Sequence, residues 1–167
     1  MALFVRDATR ADAEGIASLS RENGAYYARL APERFKVPEK TGFAEFIRDD
    51  EEWRARQDTI SLVAEVDGDV AGYLEASLQP PVESARWQSQ RDLGETRLVI
   101  NFVGTADRYK RRGVATALVE AAEEWGRARG ATVAVCDTFI DSPLSVPFWE
   151  ERMRYRRQSI IFRKALD

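Results

Sequence analysis

Thr105-Ala-Asp-Arg-Tyr-Lys-Arg-Arg-Gly-Val-Ala-Thr-Ala-Leu118 is the stretch on which the reading of this chain turns. Before it, Arg97 to Thr105 is rich in β-branched and aromatic residues and predicts a strand. After it, Val114 to about Arg129 predicts a helix, with Leu118, Ala121, Ala122 and Trp125 on one face and Gly130 as the stop. Gly113 therefore stands at a strand-to-helix junction. A glycine there lets backbone N–H groups approach an anion closely, and the helix N-terminus adds partial positive charge. The pattern is that of a pyrophosphate cradle. Lys110, Arg111 and Arg112 can neutralise phosphates when their side chains point inward. The spacing is not Gly-x-x-x-x-Gly-Lys-Ser/Thr and lacks the three glycines of a dinucleotide fingerprint, so ATP and NAD fit poorly.

Working outward, Thr132 to Phe139 predicts the next strand, and the strand-helix-strand order implies parallel pairing through a right-handed crossover. Upstream, Ile60, Leu62, Ala64 and Val66 alternate with more polar residues, as do Val70, Gly72, Leu74, Ala76 and Leu78. Asp67-Gly68 between them is the signature of a hairpin turn. Gln79 to Glu95, with Pro80-Pro81 and no clear period, reads as a long connection of the kind used for binding.

At the N-terminus, Leu3 to Arg6 reads as a strand, and Thr9 with Asp12 resembles a capping box. The helix it opens carries Ile16, Leu19, Tyr26 and Leu30 at near-helical spacing and ends at Pro32. A second helix is predicted from Thr41 to about Arg56, with Phe43, Phe46, Ile47 and Trp53 beside a solvated acidic run, Asp49 to Glu52. A short helix around Pro147 to Arg152 and a last strand from Tyr155 to Arg163 complete the chain.

The segment Tyr109 to Leu118 resembles the signature of the GNAT superfamily of acyl-CoA N-acyltransferases, Arg/Gln-x-x-Gly-x-Gly/Ala, with Lys110 at the Arg/Gln position and Gly113 and Ala115 at the others. Val5-Arg-Asp-Ala-Thr-Arg-Ala-Asp12 is similar to the family's opening strand and helix, and Val70-Ala-Gly-Tyr-Leu74 to its third strand. The resemblance implies an α/β fold with a mixed, mostly antiparallel sheet flanked by helices, its central strand pair split near Thr105 to admit the cofactor. It further implies that the pantetheine arm of acetyl-CoA lies along Phe102, Val103 and Thr105. Amides from Arg111 through Val114 and Ala115 to Thr116 would then hold the pyrophosphate.

At 167 residues the chain fits one domain, residues 1–167, with a core that needs neither disulfides nor metal. Its composition, 44% hydrophobic and 32% charged, suits a globular enzyme. No apolar run reaches the ~20 residues of a membrane span, and no secretion signal is visible, so the expectation is a cytoplasmic protein without membrane partners. Cys136 is the only cysteine and histidine is absent, which excludes Ser-His and Cys-His nucleophiles and a thiolate metal cluster. A net charge of −3 gives no general pull toward nucleic acid. A homodimer is among the assemblies left open.

Aminolysis of a thioester needs a neutral amine, a stabilised oxyanion and a leaving thiolate. Relatives often place a glutamate on the central strand, but here the corresponding residue is Asn101, which cannot take a proton. Glu75 and Asp137 remain as candidate bases, directly or through an ordered water. Their plain readings are a solvent-facing strand residue and a turn carboxylate. The family often carries a tyrosine near Phe148-Trp149-Glu-Glu-Arg-Met-Arg-Tyr155 to protonate the thiolate. Trp149 stands there, so water serves, Tyr155 substitutes, or the thiolate leaves unassisted, its thiol having a pKa of ~8.5. Trp149 is expected to pack against the pantetheine or the core. Cys136, mid-strand, is expected to be buried and inert.

The expected activity is direct transfer of an acetyl group from acetyl-CoA to an amine, without a covalent enzyme intermediate. Small amines, amino acids, amine-bearing antibiotics, peptide N-termini and protein lysines all remain as acceptors. The competing readings are a non-catalytic acyl-CoA-binding module of the same fold and, last, a nucleic-acid-binding domain using Arg108 to Arg112.

Overall fold

A computed structural model describes residues 1–50 and 58–166. The N-terminal alternation forms β1 (Leu3–Asp7), and after one 3-10 turn at Arg10–Asp12 the chain enters α1 (Ala13–Leu30). The capping pair is formed: the amide and hydroxyl of Thr9 both donate to Asp12 Oδ2, at 2.7 and 3.0 Å. Asp12 is buried, and the guanidinium of Arg6 meets it bidentately at 2.8 Å while its Nε donates to Glu65 at 3.0 Å. The Arg6 hydrogen bonds outweigh desolvation and hold the Asp12 carboxyl below the usual range. α2 (Phe43–Asp49) is the start of the second predicted helix; Trp53 and the acidic residues Glu51 and Glu52 lie outside the described residues.

The predicted hairpin is β2 (Thr59–Val66) and β3 (Asp69–Gln79), turned through Asp67 and Gly68 at φ 51° and 89°. After two short 3-10 turns in the 80–96 connection come β4 (Arg97–Thr105), α3 (Val114–Arg127) and β5 (Val133–Cys136). The strands stand in the order β1-β2-β3-β4-β5, antiparallel except for the parallel pair β4–β5. The architecture expected from the sequence, a mixed and mostly antiparallel sheet flanked by helices, is the one observed.

Two glycines show which helix covers which face. A methyl group on Gly72 of β3 would lie 2.5 Å from Val114 and 2.9 Å from Leu118, so α3 packs directly on that face. One on Gly104 of β4 would lie 3.2 Å from Leu19, which places α1 on the other. Ile16 and Leu19 from α1, Val63, Leu74 and Leu98 from the sheet, and Leu118 and Val119 from α3 are fully buried. Each such side chain contributes roughly 1.5–3 kcal/mol by leaving water. The buried stripe of α3 runs through Val114, Leu118, Val119, Ala122 and Gly126, with Trp125 half-buried beside it. Gly126 joins that stripe because Leu98 occupies the space a side chain would need.

β5 is shorter than its predicted span and pairs with β4 only from Arg97↔Val133 to Ile100↔Cys136. The split between the central strands therefore opens after Ile100, earlier than Thr105. A register shift between Glu75 and Ala76 leaves Asn101 as an extra residue at that point, a bulge beyond which β4 pairs with β3 again from Phe102 to Thr105.

The chain divides into two compact units, Met1–Asp137 and Thr138–Asp167. In the second, Ser145–Pro147 continues into a π-helical turn at Phe148–Arg152, matching the predicted short helix. The final strand predicted at Tyr155 to Arg163 is not formed: residues 154–166 have no regular structure, and Ile160, Ile161 and Phe162 are exposed. Their β-branched and aromatic character favours a strand, but a strand exists only where its backbone groups find a partner. No described helix is long and apolar enough to cross a membrane.

Candidate functional site

Where β4 ends, the amide of Ala106 donates to Ala71 O at 2.9 Å, and the chain turns through a 3-10 segment at Asp107–Tyr109 toward α3. Arg111 and Gly113 both have positive φ, 65° and 83°, and Gly113 is the N-cap of α3. The left-handed backbone at 113 explains the glycine, since a Cβ there is strained. A methyl group at this position would nonetheless meet no atom within 4 Å. Open space thus lies beside Gly113 at the head of α3, where the helix end adds partial positive charge. Val114 and Thr116 are buried, Ala115 is half-buried and Gly113 is exposed, so the helix opens to its surroundings at Gly113.

The three cations of the loop differ. Lys110 is half-buried, with its ammonium 2.5 Å from Asp107 and 5.3 Å from the ring centre of Tyr26. Arg111 and Arg112 are exposed, Arg112 standing 5.9 Å from the ring centre of Tyr109. Tyr109, an aromatic residue inside a basic loop, is buried; its hydroxyl donates to Asp69 Oδ2 at 2.9 Å, which raises its pKa. The sequence assigns no role to Asp69 or to the Tyr109 side chain, and a buried aromatic among charges was the available signal.

Phe102, Val103 and Thr105 occupy the length of β4 beyond its pairing with β5, and all three are half-buried. Phe102 lies over Gly104 and 5.9 Å from the ring of Tyr73, on the face covered by α1. The same face carries Glu75, directly opposite Phe102 on one side and Ser61 on the other. Tyr73 is 3% exposed, not on a polar surface, and its hydroxyl donates to Glu75 Oε1 and lies 3.5 Å from Ser61 Oγ. Glu75 is half-buried, so it is more enclosed than a solvent-facing strand residue. Asn101 is exposed and donates through Nδ2 to Ser77 Oγ at 3.2 Å.

Asp137 is exposed just past β5, and β4 stands between that strand and Glu75, so the structure does not bring the two candidate carboxylates together. Cys136 is half-buried; burial first, then the charge of Asp137, pushes its thiol up to about 12, which leaves no thiolate at neutral pH. In the C-terminal unit Trp149 is 7% exposed and packs between Phe148 and Tyr155, with ring centres 5.0 and 4.9 Å away. Tyr155 is half-buried, on no strand, and its amide donates to Trp149 O at 2.9 Å. Among the described residues no group of three His, Cys, Asp or Glu side chains could hold a metal ion.

Comparison with solved structures finds the same fold in proteins of several descriptions. A transcriptional regulator from Bacillus halodurans is 19% identical, with a TM-score of 0.75 over 99% of this chain and 100% of its own. Glucosamine-6-phosphate N-acetyltransferase from Arabidopsis thaliana is 18% identical, with a TM-score of 0.70 over the full length of both chains. An aminoglycoside N-acetyltransferase crystallised with CoA is 19% identical, with a TM-score of 0.66 over 98% of this chain and 95% of its own. No curated protein matches in sequence. The sequence profile of the Acetyltransferase (GNAT) family matches residues 25–155, a span that holds the hairpin, β4, the Gly113 loop and α3. By that match the chain belongs to the GNAT acetyltransferase family.

Proposed function

We propose that this protein is an N-acetyltransferase that takes acetyl-CoA as donor and the amine of a small molecule as acceptor, by direct attack with both bound. The observation that carries the reading is the open left-handed Gly113 at the head of α3, beside the stretch of β4 that β5 leaves unpaired. In this reading the amides from Arg111 to Thr116 receive the pyrophosphate, and Arg111 and Arg112 neutralise it. The unpaired edge at Phe102, Val103 and Thr105 offers backbone groups to the amides of the pantetheine arm. Lys110, engaged by Asp107 and Tyr26, supports the loop more than the phosphates.

Acetyl-CoA supplies an activated thioester carbon, whose bond to sulfur is exchanged for one to nitrogen. The chain must hold the acceptor nitrogen and take its proton. Glu75 fits the second task better than Asp137, because it is half-buried, oriented by Tyr73 and opposite Phe102 on the open strand. Asn101 takes no proton but offers an amide to an acceptor's polar groups. For the departing sulfur, solvent suffices at a thiol pKa of ~8.5. The names of the solved relatives, an aminoglycoside and a glucosamine-6-phosphate N-acetyltransferase, favour a small-molecule amine over a peptide.

Asn101 at the usual base position favours a second reading, an acyl-CoA-binding module without catalysis. The first test is binding. At a hundredfold excess over Kd, linkage predicts ~2.7 kcal/mol of stabilisation, a clear rise in Tm with acetyl-CoA and none with NAD or ATP. No shift at millimolar acetyl-CoA contradicts both readings.

A further inference from the structure

The segment 106–112 carries Arg111 in a left-handed conformation, uncommon for a non-glycine residue. Two carboxylates distant in sequence hold the residues just before it. Glu22, on α1, accepts the amide of Asp107 at 2.7 Å and so caps the 3-10 turn whose first N–H has no partner of its own. Asp69, just after the hairpin turn, accepts the Tyr109 hydroxyl at 2.9 Å, and the same oxygen is 3.1 Å from the Arg108 guanidinium. Arg108 in turn lies over the Tyr109 ring at 4.9 Å. The loop is thereby held from α1 on one side and from the β2–β3 turn on the other.

Both groups are anions beside a loop read as the seat of a pyrophosphate, and their charge alone opposes such a ligand. We propose that Glu22 and Asp69 are positioning residues for the cofactor loop: they fix 106–112 so that Arg111 and the amides ahead of α3 face the phosphates before CoA arrives. This rests on the acetyl-CoA reading above. The value of the brace is preorganisation, since a loop ordered in advance loses less entropy on binding.

The opposed signs make the test decisive. If the two carboxylates act only through charge, removing either one tightens CoA binding. If they brace the loop, Glu22→Ala and Asp69→Ala each weaken it about tenfold, the size expected for one charge-assisted hydrogen bond. Glu22→Gln keeps an oxygen that accepts the Asp107 amide and binds CoA within about twofold of the parent. Affinity is read by calorimetric titration with CoA, after each variant's Tm is measured. With an active acceptor, the KM for acetyl-CoA rises in the alanine variants while kcat at saturation is unchanged. Should an alanine variant not fold, Tyr109→Phe, which deletes the hydroxyl and keeps the ring, carries the same prediction. Folded Glu22→Ala or Asp69→Ala protein that binds CoA as tightly as the parent, or tighter, overturns the proposal, as does a Glu22→Gln variant as weak as Glu22→Ala. A parent that binds no CoA overturns instead the reading on which it rests.

Discussion

Replacing Gly113 with valine separates the cradle from generic attraction to a basic loop. The backbone there has φ 83°, and an L-residue in the left-handed region costs roughly 1–2 kcal/mol, more for a β-branched side chain. Losing a glycine from the unfolded chain returns about 0.4–1 kcal/mol, so a net destabilisation of ~1 kcal/mol follows. For a chain of 167 residues that is a fall in Tm of about 2–4 °C. No neighbouring atom lies within 4 Å of the new Cβ, so packing adds no further loss to the free protein. The effect on CoA is larger. The valine methyl groups occupy the space in front of the first-turn amides, and each charge-assisted amide bond denied to a phosphate costs about 1.5–3 kcal/mol. Affinity should fall at least tenfold, with net charge unchanged. Changing Arg111 and Arg112 together to Gln should weaken binding moderately and flatten its salt dependence, because screened charge is what those side chains supply. Calorimetric titration with CoA at low and high salt distinguishes the two patterns. A folded Gly113→Val protein with the parent's affinity at both salt concentrations refutes the cradle.

Gly72→Ala drives a methyl group against Val114, Leu118 and the Gly104 carbonyl and should destabilise by about 1–3 kcal/mol, measured by urea unfolding. Asp12→Asn breaks the bidentate contact with Arg6 and should cost about 2–3 kcal/mol at neutral pH. Because the folded Asp12 carboxyl is depressed, its contribution is fully present above the unfolded value of about 3.9 and drains away as pH falls through the folded one. Unfolding free energies between about pH 6 and pH 2 should therefore fall more steeply for the parent than for Asp12→Asn. Glu75→Gln should lower kcat by roughly 10² or more while sparing CoA affinity, whereas Asp137→Asn should leave both near parental values; equal rates for Glu75→Gln and the parent across pH remove Glu75 as the base.

Much of the fold was legible because local signals and tertiary structure agree. The Asp67-Gly68 turn, the alternation on either side of it and the strand from Arg97 to Thr105 each carry their own pattern, and each is found at its predicted place. The last strand was misread because Ser159 to Phe162 has the composition of a strand, while pairing depends on an edge the segment itself does not encode. The split of the sheet was anticipated but placed too late, since a single bulged residue, Asn101, is invisible in an alternating pattern. In the loop before α3, the turn at Gly113 could be read because glycine adopts left-handed backbone at least cost. Tyr73, Glu22 and Asp69 could not: their partners are Glu75, the Asp107 amide and Tyr109, and only folding brings the last two pairs together. Tyr73 was also obscured by parity, since it shares a sheet face with Glu75 and Ser77 yet is covered.

Transfer of an acetyl group from acetyl-CoA to a small-molecule amine, as proposed above, frees one thiol per turnover. Its most direct test is continuous detection of free thiol with saturating acetyl-CoA, against amino sugars, aminoglycosides, polyamines, amino acids and a lysine-bearing peptide. The expected result is release that depends on an amine, exceeds one equivalent per protein, is fastest with a small-molecule acceptor, and is accompanied by the N-acetylated product in the mass spectrum. Protein that binds acetyl-CoA yet releases no thiol above the rate of spontaneous hydrolysis with any of these amines contradicts it.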